Sequence, residues 1–127
     1  MALPFKLRRI DHLGIVAKDA PLACKFLGEI LEFKEAGSED VLSEQTRTTI
    51  FSLPGESPSL EILEPLSEDS PVSRYMAKYK AGIHHLAFEV DNIRRAIQYF
   101  KEYSIRLISE EPKVGHGGCL IVFLHPA

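Results

Sequence analysis

A pattern near the start of the chain returns about 73 residues later. Ile10-Asp11-His12-Leu13-Gly14-Ile15-Val16 reappears as Ile83-His84-His85-Leu86-Ala87-Phe88-Glu89, histidine over histidine. The register holds beyond these segments: Asp19 falls on Asn92, Ala23 on Ala96, Phe26 on Tyr99, Leu27 on Phe100 and Glu29 on Glu102. A repeat of this length is a supersecondary unit that buries its apolar face against its copy. It restricts the fold to two related modules with equivalent positions in each.

The periodicities say what each module contains. Residues 8–17 alternate apolar and polar, which predicts a strand. Asp19 and Pro21 open a helix over about 20–31, with Leu22, Ala23, Phe26, Leu27, Ile30 and Leu31 at helical spacing. A short strand at 32–35 and a loop at 37–40 are expected next. Thr46–Leu53 and Ser59–Glu64 read as a hairpin around the Pro54-Gly55-Glu56-Ser57-Pro58 turn. Ser70-Pro71 caps a connecting helix over about 71–80.

The second copy opens with a strand at 83–90. Asp91 or Asn92 then caps a helix carrying Ile93, Ala96, Ile97, Phe100 and Tyr103. Strands at 105–108 and 119–124 flank a turn over 110–118. The order is β-α-β-β-β in the first module, within a single α+β domain spanning 1–127. Module one covers about 8–66 and module two about 82–127. The counterpart of Glu61 falls near position ~134, so the second module is expected to lack its last strand.

Composition narrows the partners. The 127 residues are 45% hydrophobic and 26% charged, with a net charge of −3, which fits a globular domain and not a nucleic-acid surface. Lys6, Arg8 and Arg9 read as a solvated N-terminal arm. The two cysteines, Cys24 and Cys119, match no metal or redox spacing, and the expectation is reduced thiols in a cytoplasmic compartment. No run has the length of a membrane span, and the first ten residues lack a secretory signal's apolar stretch.

The repeat also weights the histidines. A lone strand histidine is usually structural, but two at equivalent ends of equivalent strands are hard to explain by packing alone. Glu61 lies between Leu60 and Ile62, so its side chain faces away from theirs. His12, Glu61 and His85 together offer two imidazoles and a carboxylate. That mixed donor set suits divalent zinc, cobalt, nickel, manganese or iron. Register selects His85 over His84, which strand alternation sends to the opposite face.

Four stretches, IDHLGIVAKD, LEILEPLSEDSPV, AGIHHLAFEVDNI and ISEEPKVGHGGCLIVFLHP, carry a resemblance that covers most of the chain. The sequence resembles the vicinal oxygen chelate (glyoxalase/bleomycin resistance/dioxygenase) superfamily and, within it, the methylmalonyl-CoA epimerase family. The resemblance implies paired βαβββ modules forming an open, cup-shaped sheet around a divalent metal. The ligands it implies are His12, Glu61 and His85, and the metal is cobalt first, with zinc, nickel or manganese as alternatives. The implied activity is epimerisation of methylmalonyl-CoA by proton abstraction at the α-carbon through a metal-stabilised enolate.

The family's fourth ligand, a glutamate on the last strand, has no counterpart within 127 residues. A glutamate base on the third strand in some relatives falls on Thr49 here. Glu44 is the nearest carboxylate and the candidate base. Lys113 and Gly117 are candidates for contacting substrate anions, through a charge and through backbone amides. The implied partners are an acyl-CoA thioester and a second copy of the chain in a homodimer, with no nucleic acid and no membrane. A glyoxalase-I-like lyase and a non-catalytic small-molecule-binding protein of the same fold are the other readings of this site.

Overall fold

The computed structural model describes residues 2–55 and 57–125. Glu56 of the expected turn and the last two residues lie outside the described residues. The chain forms two compact units, Ile10–Ala87 and the described residues up to Arg9 together with those from Phe88 onward.

The elements run β1 (Leu7–Val16), α1 (Ala20–Lys25), β2 (Lys34–Val41), β3 (Thr46–Ser52), β4 (Ser59–Pro65), α2 (Pro71–Tyr79), β5 (Gly82–Val90), α3 (Ile93–Glu102), β6 (Lys113–Val114) and β7 (Leu120–Ile121). The α+β class is as expected. Five strands form one open sheet in the order β2-β3-β4-β1-β5. β2, β3 and β4 are antiparallel neighbours, and β1 runs parallel to β4 with Gly14 opposite Glu61.

The first unit has apolar clusters on both faces of its sheet. Ala20 and Leu27 pack on Phe51 and Ile62, with Ile15 and Cys24 beside them. Val16 and Leu63 pack on Val72 of α2. Residues next to one another in β1 and β4 thus serve opposite faces, as strand alternation requires. Glu61 shares its face with Leu63 and lies on a central strand, which buries it to 6% exposure.

Several expectations need correction. The helix over 20–31 does not run through as α-helix: after Lys25 it becomes a π turn over Phe26–Ile30, with the Leu31 amide donating to the Phe26 carbonyl five residues back. Its buried side carries Ala20 and Leu27, while Leu22, Phe26 and Ile30 are exposed. Residues 37–40 are not a loop. They belong to β2, an edge strand whose polar side chains face water, with a bulge between Glu35 and Gly37. Gly37 takes φ +127 there, a backbone conformation that side chains disfavour.

In the second unit, the strand expected at 105–108 reduces to one bridge, Leu107 to Leu124, and that at 119–124 to β7. Few backbone groups are paired by so short a ladder, despite the apolar sequence. The basic arm is not free: the Lys6 amide donates to Asp91 Oδ1 at 2.6 Å and its carbonyl accepts from the Asp91 amide. Phe5 is buried edge-on against Tyr99 and Phe100 of α3.

The repeat survives in detail at the helix starts. Asp19 accepts from the Leu22 amide and Asn92 from the Arg95 amide, each three residues on. Asn92, not Asp91, is the second cap. Among the described residues no helix is long and apolar enough to cross a membrane.

Candidate metal centre

β1, β4 and β5 bring His12, Glu61 and His85 together within the first unit, with one donor atom from each lying within 4.8 Å of the others. His12 Nε2 stands 3.0 Å from His85 Nε2, with the two rings edge to face. On its other side, His12 Nδ1 lies 3.1 Å from Glu61 Oε2 and 2.8 Å from Asp11 Oδ2.

Space for this arrangement comes from Gly14. A Cβ there would overlap His85 Cε1 and lie 2.7 Å from its Nε2. The His85 ring therefore occupies the volume that any other residue at position 14 would fill. Burial, with His12 and His84 alongside, pulls the His85 imidazole down to about 4. Near neutral pH the ring is uncharged and has a lone pair to offer. A buried carboxylate, a neutral imidazole and a second imidazole at close range fit a divalent cation well, since ligand nitrogens must be deprotonated.

His84 does not part from His85 as alternation suggested. Its ring packs against Tyr75 of α2 and its Nδ1 stands 2.9 Å from His85 Nδ1. Burial lowers its pKa as well. Asp11 does not stand out in the sequence as part of the site, and His84 does so only as a neighbour of His85 that faces outward or supports it. The available signal was the repeat itself, which places them at equivalent positions.

The other candidates have definite places. Glu44 ends the 3-10 turn Leu42–Glu44 leading into β3, in the same unit as His12, Glu61 and His85, and its Oε1 is shielded from solvent. Thr46 Oγ1 donates to the Glu44 carbonyl at 2.8 Å and fixes that turn. Thr49 pairs with Ile62 in register, on the face opposite Glu61, and its hydroxyl meets Ser38. A carboxylate at position 49 would point away from the donors. Lys113 lies in β6 opposite Ile121, and Gly117 sits in a 3-10 turn with φ +67; both belong to the second unit.

The model of the glyoxalase/bleomycin resistance protein/dioxygenase superfamily matches residues 11–123. The human mitochondrial methylmalonyl-CoA epimerase is 39% identical over 124 residues, covering 96% of this chain and 69% of that protein. A methylmalonyl-CoA epimerase solved with methylmalonyl-CoA and NH4+ superposes with a TM-score of 0.88 at 30% identity, over 95% of this chain and 87% of that one. Variants of the Streptomyces coelicolor epimerase solved with 2-nitronate-propionyl-CoA, one at a glutamate and one at a glutamine, have TM-scores of 0.88 and 0.89 at 30% identity. Each spans 95% of this chain and 89% of the other.

Proposed function

Because the chain belongs to the glyoxalase/bleomycin resistance protein/dioxygenase superfamily, and within it to the methylmalonyl-CoA epimerases, we propose that it inverts the α-carbon of methylmalonyl-CoA by metal-assisted proton transfer. The observation that carries this reading is the buried Glu61 carboxylate facing two imidazoles across adjacent strands.

The chemistry follows from the substrate. Its α-carbon lies between a thioester and a carboxylate, so loss of the α-proton gives a delocalised enolate. His12, Glu61 and His85 would hold a divalent ion, which would supply positive charge to stabilise oxyanion character on a carbonyl. Glu44 is the base we assign to the α-proton. The turn that holds it is anchored to Thr46. The replaced glutamate and glutamine of the Streptomyces coelicolor enzyme are separated by as many residues as Glu44 and Glu61, which supports the pairing. Return of a proton from solvent to the opposite face of the planar enolate inverts the centre, and Glu44 releases the proton it took to water. Lys113 and the turn at Gly117 are our candidates for the anionic groups of the acyl-CoA. Free Cys24 and Cys119 suit a reducing compartment such as the cytoplasm.

The test is deuterium incorporation at the α-carbon of methylmalonyl-CoA in D2O with cobalt or zinc added. Exchange is expected in the wild type, and His85→Ala should lose both metal uptake and exchange. Absence of exchange in metal-loaded wild-type protein would falsify the reading.

A further inference from the structure

We propose that the residue just before each histidine donor, Asp11 before His12 and His84 before His85, is a positioning residue that holds its neighbour's Nδ1 and so presents Nε2 as the donor atom. This rests on the metal reading above and assigns roles to two residues outside the donor set.

Geometry at the rings carries it. In an imidazole, Nδ1 lies on the side nearer the backbone and Nε2 at the far end. A side chain one residue back can reach the first but not the second. Asp11 Oδ2 stands 2.8 Å from His12 Nδ1, and His84 Nδ1 stands 2.9 Å from His85 Nδ1. The two Nε2 atoms then face each other at 3.0 Å, close to the spacing expected of two ligands each about 2 Å from a common ion. Under the repeat, Asp11 and His84 are equivalent positions, so the modules solve one problem twice.

The two solutions differ chemically. Carboxylate oxygens only accept, so Asp11 holds the His12 proton on Nδ1 and leaves a lone pair on Nε2. Glu61 also faces His12 Nδ1, at 3.1 Å, but Asp11 is nearer, at 2.8 Å, and lies outside the three candidate ligands. Asp11 is the acceptor that can stay. His84 is a neutral ring that can either give or take a hydrogen bond. Without metal, His85 Nε2–H donates to the His12 Nε2 lone pair, and His84 Nδ1–H donates to His85 Nδ1. With His85 Nε2 used as a donor atom, its proton sits on Nδ1 and His84 becomes the acceptor. Packing of His84 on Tyr75, with ring centroids 5.1 Å apart, keeps that partner in place through the exchange.

Zinc competition against a chromophoric chelator tests this, together with proton–nitrogen NMR of the imidazoles in zinc-loaded protein. Asp11→Leu removes the acceptor, and His84→Phe keeps the ring packing but removes the nitrogen. Each should weaken zinc affinity ~10–100-fold, the usual range for partners of metal-bound histidines. Each should also abolish the protected Nδ1–H signal of its own histidine alone. Asp11→Asn, whose amide oxygen still accepts, should recover most of the affinity and the signal. Wild-type affinity and both protected signals in Asp11→Leu and His84→Phe would overturn the inference and leave the metal site standing. A wild-type protein that takes up no zinc or cobalt would overturn the metal reading itself, and this inference with it.

Discussion

Gly14 shows how one missing side chain shapes the site. Its neighbours across the face are not small: the His85 ring fills the space above it, and its strand partner is Glu61. The usual account of a strand glycine is a bend or a positive φ, but here the requirement is close approach of a ring. Gly14→Ala should displace His85, weaken zinc affinity ~10-fold or more and cost about 1–3 kcal/mol from overpacking. Zinc titration with urea unfolding of the metal-free variant measures both, and unchanged affinity would refute the steric role. His12, Glu61 and His85 were legible in the sequence because the repeat and strand alternation point to them. Gly14 was not, because the ring it accommodates belongs to a strand about 70 residues away, and only strand pairing brings the two together.

At the scale of elements, the helix starts do more than begin helices. Ser70 is fully buried and caps α2. Its Oγ accepts from the Val72 amide at 3.2 Å, and its hydroxyl donates to Thr46 Oγ1 at 3.1 Å. Thr46 in turn donates to the Glu44 carbonyl. One chain of hydrogen bonds thus ties α2 to the first residue of β3 and to the turn that holds the proposed base. Ser70→Ala removes the acceptor of the Val72 amide and the donor to Thr46 Oγ1, and should destabilise the protein by about 1–2 kcal/mol in chemical denaturation. A loss within error of zero would mean the cap is idle. The cap was legible in Ser70-Pro71, and so were the strands with clear alternation. The sequence signals only the start of β2, at 32–35, and hides its polar continuation over 37–40, because an edge strand with water on its outer side need not alternate. The π turn after α1 is hidden by its apolar spacing, which reads the same for an ordinary helix, and only Gly28 within it weakens the helical pattern.

At the scale of the whole molecule, metal binding and stability are linked. An ion that binds the folded chain and not the unfolded one stabilises it in proportion to the logarithm of its excess over Kd. Cobalt or zinc at a hundred times Kd should add about 2.7 kcal/mol, seen as a rise in thermal midpoint that a chelator reverses. The shift should vanish in His85→Ala; an equal shift in that variant would place the ion elsewhere. The compact units cut across the modules of the repeat. The first strand of the second module contributes His85 to the unit that also holds His12 and Glu61. By itself the sequence pointed to the repeat, the α+β class, the caps at Asp19 and Ser70 and the grouping of His12, Glu61 and His85 that the fold brings about, because each is written in local periodicity or in the 73-residue register. Tertiary structure decided the sheet order, the room that Gly14 leaves, the contact of His84 with His85 and the face on which Thr49 lies. Those depend on which strands pair and in what register, and no local pattern encodes contact between residues far apart in the chain.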